Sequence, residues 1–222
     1  MKKFTTFVCL LFSVGATAQY TSQEIKKFKI SKIIKQSYNT DSSESQKTET
    51  LYDRHGNDTA TFMDGQLYKH SIYEYDGKGR ALKSINSKPD GSEMETATYA
   101  YKPDGSYVIT NKDKTYGLTD YTYYDKTGKI IKTKSPDGAE RMHTYDAKGH
   151  LMKIKTKPGG NGILTDIQYT YNARGQCIKE VSNGEFKWTT TYTYDNKGLI
   201  IQAVSANPDD GTKSTYSYEY EF

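Results

Sequence analysis

Four lysines, Lys83, Lys132, Lys153 and Lys179, each fall four residues after a glycine, so stacking of equivalent segments would align their ammonium groups in one column. Aromatic rings recur nearby at Tyr171, Trp188 and Tyr194. Cations beside flat rings suit a glycan, held by charge, hydrogen bonds and stacking. The same lysines equally serve as a solvated ladder that keeps a sheet soluble. A second series, Asp53, Asp76, Asp125, Asp146 and Asp195, offers carboxylates at one recurring place. No segment there supplies the several oxygens and closing glutamate of a calcium loop, and aspartate as a turn former explains them all.

The histidines His55, His70, His143 and His150 have no HExxH-like spacing, and His143 stands where neighbouring segments carry tyrosine. No serine sits in a nucleophile elbow. The expectation is therefore of no catalytic residue, no metal site, no cofactor and no enzyme.

The elements that would position these side chains are written in a repeat. A phrase close to YxYDxxG recurs at Tyr73-Glu74-Tyr75-Asp76-Gly77-Lys78-Gly79, at Tyr169-Thr170-Tyr171-Asn172-Ala173-Arg174-Gly175 and at Tyr192-Thr193-Tyr194-Asp195-Asn196-Lys197-Gly198, with looser copies around Asp53, Asp104, Asp125 and Asp146. Between copies stands a second mark, such as Asp64-Gly65, Pro89-Asp90-Gly91, Pro136-Asp137-Gly138 or Asn183-Gly184. Asp-Gly and Asn-Gly between alternating segments signal hairpins, because Gly and Asn accept positive φ. Each repeat is then strand, turn, strand, turn. About seven repeats give roughly 14 strands.

Period two puts Tyr192 and Tyr194 on one face and Thr193 on the other. Adjacent apolar pairs after the glycine, such as Ile130-Ile131 and Ile200-Ile201, place some apolar surface on both faces. The expected fold is an all-β antiparallel meander of hairpin repeats, a long twisted or curled sheet that stays open and solenoid-like.

Boundaries follow from composition. Lys2-Lys3, an apolar run over residues 4–16 and Ala16-Thr17-Ala18 before Gln19 read as a secretory signal over residues 1–18, cleaved between Ala18 and Gln19. The run is short of the roughly 20 residues of a spanning helix. Residues 19–50 read as a short helical turn at 22–27, one strand at 28–38 and a polar loop at 38–50; residues 51–222 carry the repeats. Without Lys2 and Lys3 the 31 basic residues become 29 against 27 acidic ones, and only four are arginines. Such a balance argues against a nucleic-acid partner. With Cys9 in the signal, Cys177 stands alone and no internal disulfide can form.

These phrases resemble the YD repeats of the RHS superfamily, over about residues 51–222, with Tyr73 to Arg80 nearest to its pattern. The resemblance implies a small exported bacterial member built of strand-turn-strand units. In large members such units spiral into a hollow shell around a toxic C-terminal domain, and members are associated with carbohydrate binding and cell-surface contact. This chain has fewer repeats than a closed cocoon needs and no non-repeat segment after Phe222, so encapsulation is not expected. The expected role is a monomeric exported binding module in the periplasm, at the cell surface or outside the cell, with a glycan or a cell-envelope protein as ligand. Beside it stand a protein-interaction or immunity-like partner of a secreted RHS-type system and, from the alternating Tyr216, Tyr218, Tyr220 and Phe222, an outer-membrane β-barrel.

Overall fold

The computed structural model describes residues 20, 22–39, 45–159, 166–184 and 187–222; the signal and its cleavage site at Ala18 and Gln19 lie outside them. One helix, α1 (Ser22–Phe28), precedes β1 (Lys32–Asn39), β2 (Ser45–Tyr52), β3 (Asp58–Met63), β4 (Gln66–Tyr75) and β5 (Ala81–Ser87). Then come β6 (Glu93–Tyr101), β7 (Tyr107–Asp113), β8 (Thr119–Tyr124), β9 (Ile130–Lys134), β10 (Glu140–Tyr145) and β11 (Leu151–Lys157). The chain ends in β12 (Ile167–Tyr171), β13 (Cys177–Asn183), β14 (Lys187–Tyr194), β15 (Ile200–Ala206) and β16 (Lys213–Glu221).

All strands are antiparallel to their sequence neighbours, and β1 also pairs with β16, from Lys32 opposite Glu221 to Asn39 opposite Ser214. The sheet is therefore a closed barrel, which corrects the expectation of an open one. Closure leaves no row of unpaired backbone groups at either end of the meander. The described residues form sixteen strands, against roughly 14 expected from the repeats and one more at 28–38; the stretch 45–50, read as loop, is the start of β2. The repeats thus suffice to close, once β1 supplies the seam.

Curling has a local cause. The turn after each even strand carries a register shift in six of seven cases, at Leu51/Tyr52, Glu74/Tyr75, Tyr123/Tyr124, Thr144/Tyr145, Thr170/Tyr171 and Thr193/Tyr194. Each such bulge adds twist at the same end of the barrel. It also explains the paired apolar residues: Ile200 turns inward and is buried while Ile201 stands outside. The turn itself is built by the aspartate. Asp76 Oδ1 accepts the N–H groups of Lys78 and Arg80, Gly79 N–H donates to the Asp76 carbonyl, and Gly79 takes φ +76°. The pattern recurs at Asp53, Asp125, Asp146, Asn172 and Asp195.

At four strand ends an inward-facing tyrosine joins one hairpin to the next. Tyr145 Oη donates to the Ile130 carbonyl at 2.8 Å, Tyr171 to Leu151 at 2.9 Å, Tyr194 to Cys177 at 2.6 Å and Tyr220 to Ile200 at 2.7 Å. In every case the acceptor is the residue opposite the preceding turn's tyrosine, at the bulge where the ladder is interrupted. This is why the phrase needs tyrosine and not phenylalanine.

Helix α1 stands at the same end. Ile25 and Ile30 are buried with Leu199 against Tyr20, Phe28, Ile33, Tyr52 and Tyr220. Tyr20 Oη accepts the Ile200 N–H at 2.7 Å, so the chain's entry is fixed to β15. Tyr192, Ile200 and Ala203 form a second core with Tyr194, Tyr216 and Tyr218.

Candidate functional site

The most chemically unusual side chain is Glu180, midway along β13 and fully buried. The bulge opposite Thr170/Tyr171 sends Lys179 outward and turns Glu180 into the lumen. There it lies opposite Tyr169 of β12 and Thr190 of β14. Trp188 and Tyr192 flank Thr190 on the same inward face. Tyr192 Oη donates to Glu180 Oε2 at 3.0 Å. Glu180 Oε1 and Trp188 Nε1 are both buried and, among the described residues, without a hydrogen-bond partner. The indole lies close enough to the carboxyl to oppose its shift, yet outside hydrogen-bond geometry.

Burial, the largest influence, pushes the Glu180 carboxyl above the usual range, against the hydrogen bond from Tyr192. Burial followed by the Glu180 charge likewise raises the Tyr169 and Tyr192 hydroxyls. The Cys177 thiol is pushed up to about 11, again chiefly by burial, and is thus a poor nucleophile at neutral pH. Across the lumen Lys35 also faces inward, its Nζ 4.3 Å from the centre of the Tyr216 ring and its pKa lowered by burial.

A group whose pKa is raised on folding stabilises the fold below its unfolded value, here 4.5, and that contribution is lost as pH rises toward the folded value. Glu180→Gln keeps the shape and cannot ionise. Its melting temperature should therefore gain on the wild type as pH rises from 4 to 8. A constant difference in melting temperature across that range would refute a Glu180 carboxyl raised by burial.

Of the residues singled out from sequence, Tyr171, Trp188 and Tyr194 face the lumen side on β12 and β14, with Trp188 six residues, roughly 20 Å, from Tyr194 along the strand. Lys83, Lys132, Lys153 and Lys179 lie on the outer face, on β5, β9, β11 and β13. The rings and the lysines therefore stand on opposite sides of one wall. Lys83, Lys132 and Lys153 face Glu74, Glu140 and Asp166 at 3.7, 3.3 and 3.1 Å. Glu180 was not singled out, because a Lys-Glu pair in a polar strand reads as surface. His55 and His150 stack on Tyr75 and Tyr171 at 4.3 and 4.7 Å, and His150 Nδ1 lies 2.9 Å from Asp146 Oδ2. Among the described residues no group of three His, Cys, Asp or Glu could hold a metal ion.

The molecule is thus a barrel of YD hairpins with an aromatic lumen and a charged outer wall. The sequence profile of the Teneurin YD-shell family matches residues 15–220, and the chain belongs to that family. It is 27% identical over 144 residues to the probable deoxyribonuclease RhsA of Dickeya dadantii (strain 3937), covering 59% of this chain and 10% of that protein. It is 26% identical over 124 residues to the tRNA(Glu)-specific nuclease WapA of Bacillus subtilis subsp. natto (strain BEST195), covering 55% and 5%. The chain spans a tenth or less of the length of these relatives. Among solved structures, a porin-like protein from Bacteroides uniformis ATCC 8492 matches with a TM-score of 0.56 at 15% identity, covering 86% of this chain and 98% of that one.

Two expectations are corrected by these matches. The chain was expected to be no enzyme and to have no nucleic-acid partner, whereas the relatives are named as nucleases. Missing motifs and a balanced total charge describe only the stretch in hand. They carry no weight against an activity that belongs to relatives at least ten times the length of the match.

Proposed function

We propose that the protein is an exported binding module that takes a polyhydroxylated, glycan-type ligand against the lumen side of β12–β14. The observation that carries this reading is the pairing of an unsatisfied acceptor, Glu180 Oε1, with an unsatisfied donor, Trp188 Nε1, in one aromatic-lined cluster. Unpaired buried polar atoms cost about 1–3 kcal/mol each. A sugar hydroxyl both donates and accepts, and its ring stacks on indole and phenol faces. The rings of Tyr171 and Tyr194 extend the same lining toward the end where the YD turns lie.

Trp188 is the chain's only tryptophan, so its fluorescence reports on this site alone. Titration with oligosaccharides selected on a glycan array should give a saturable change in emission, weakened at least tenfold in Glu180→Ala. Array silence and unchanged emission would reject the reading. An array signal that survives Glu180→Ala but falls when Lys83, Lys132, Lys153 and Lys179 become alanine would move the ligand to the outer wall.

The porin-like fold favours an envelope setting, and no described helix is long and apolar enough to cross a membrane, which says nothing of strands. A membrane-spanning barrel finds little support in the wall. Its outer face carries Lys32 with Glu221 at 2.6 Å and Lys132 with Glu140, and β9 and β12 have five residues each against the 9–11 of a spanning strand. The names of the relatives favour a second reading, a YD module that works within a nuclease-bearing RHS-type system. Cleavage of labelled tRNA or linear DNA by the purified chain, or its capture of a nuclease domain, is the measurement for it.

A further inference from the structure

The barrel's two ends differ in charge. At the end that holds α1, six of the seven hairpin turns place an exposed cation at their centre: Arg54, Lys78, Lys126, Lys148, Arg174 and Lys197. The seventh turn has Lys102 at its first residue, offset by Asp104. Where the seam interrupts the series, α1 and the residue after it add exposed Lys26, Lys27 and Lys29. The turn aspartates at this end are bonded to the backbone N–H groups of their own turns, less exposed than the cations, and offset part of this charge, while Arg80 and Lys129 add to it. At the opposite end exposed Asp90, Asp137, Asp209 and Asp210 stand among exposed Lys88, Lys114, Lys187 and Lys213, and Lys187 pairs with Asp209 at 3.2 Å, so the charges there largely balance. A formal net charge of +4 does not show this difference.

We propose that the cationic end docks flat on an anionic lipid surface, with the barrel axis upright. Charge sign requires an anionic partner, and the arrangement selects its shape. Turn tips that succeed one another around the rim of a closed barrel lie near one plane. A surface of phosphate headgroups meets all of them at once, whereas a single extended polyanion meets only those along its path. Each lysine or arginine near such a surface adds its own attraction, so six together bind where one would not. The balanced end gains no such attraction, which fixes the orientation. This docking is independent of the glycan reading, since it uses no lumen residue.

The test is co-sedimentation of the exported protein with vesicles of phosphatidylcholine alone and of phosphatidylcholine with 30% phosphatidylglycerol, at low and physiological salt. Binding should require the anionic lipid, weaken as salt rises, and drop at least a hundredfold when the six tip residues are changed to glutamine. A variant with Asp90, Asp137, Asp209 and Asp210 changed to asparagine should bind as well as the wild type or better. Circular dichroism identifies any variant that fails to fold, and single tip substitutions, each expected to weaken binding several-fold, then replace it. Equal binding to both vesicles, or undiminished binding by the tip variants, would overturn the proposal. So would absence of vesicle binding combined with salt-sensitive binding of an oligonucleotide, which would give the ring to nucleic acid instead.

Discussion

Gly56→Ala should release α1 from the barrel. Gly56 sits in the turn between β2 and β3 with φ +82°, and a Cβ built there would stand 2.1 Å from the backbone oxygen of Ser22, the first residue of α1. Nothing flexible can yield, because the obstructing atom is backbone. Either the turn or the helix must move, and the helix is held by only a few side chains, chiefly Ile25 and Ile30. Freeing these two exposes residues worth about 1.5–3 kcal/mol each when buried, to which the alanine adds about 1 kcal/mol of strain at positive φ. A loss of about 4–7 kcal/mol is expected, with new tryptic cleavage at Lys26, Lys27 and Lys29. Gly91→Ala is the matched control: its φ is +84° and a Cβ would meet nothing within 4 Å. It should cost only the strain and leave α1 protected. Equal melting temperatures and equal digestion patterns for the two variants would show that α1 is not seated as described.

Proline at either of two consecutive positions in β1 should be equally damaging. Along a strand, successive N–H groups point to opposite neighbours. In an open meander β1 would be an edge with one paired side, so one of Ile34→Pro and Lys35→Pro would fall on a free N–H and be tolerated. Here Ile34 lies between Glu49 and Glu219, and Lys35 between Thr48 and Tyr218. Both substitutions break a ladder, each at about 3 kcal/mol or more. Thermal melts of the pair measure closure directly, and one silent proline would reopen the barrel.

Much of this architecture was legible. The tyrosine face, the two kinds of turn, a helical turn before the first strand and the strand that follows it are all local signals, readable from Tyr192-Thr193-Tyr194 or Asp76 to Gly79. The start of β2 was not legible, because Ser45 to Thr50 carries no apolar residue for period two to act on; it is a strand because β1 and β3 flank it. Closure was not legible either. Lys32 and Glu221 stand at opposite ends of the chain, and no short pattern records their pairing. The bulges hid the site. They place Ile178 and Lys179 together on the outside, so counting by twos from Gly175 puts Glu180 on the wrong face. Trp188 was visible as a ring but not as Glu180's neighbour, and the four lysines lie on the outer face, away from the rings.

The seam also constrains how such a molecule can change size. A cycle of antiparallel strands admits only an even number, since one added strand would bring β1 alongside β16 in parallel and mismatch the ladder from Lys32 to Asn39. Inheritance can therefore lengthen or shorten this protein only by whole hairpins. Each hairpin brings one turn at each rim, so a duplication would widen the bore without a new kind of contact. Alone in the ring, α1 would not scale with it.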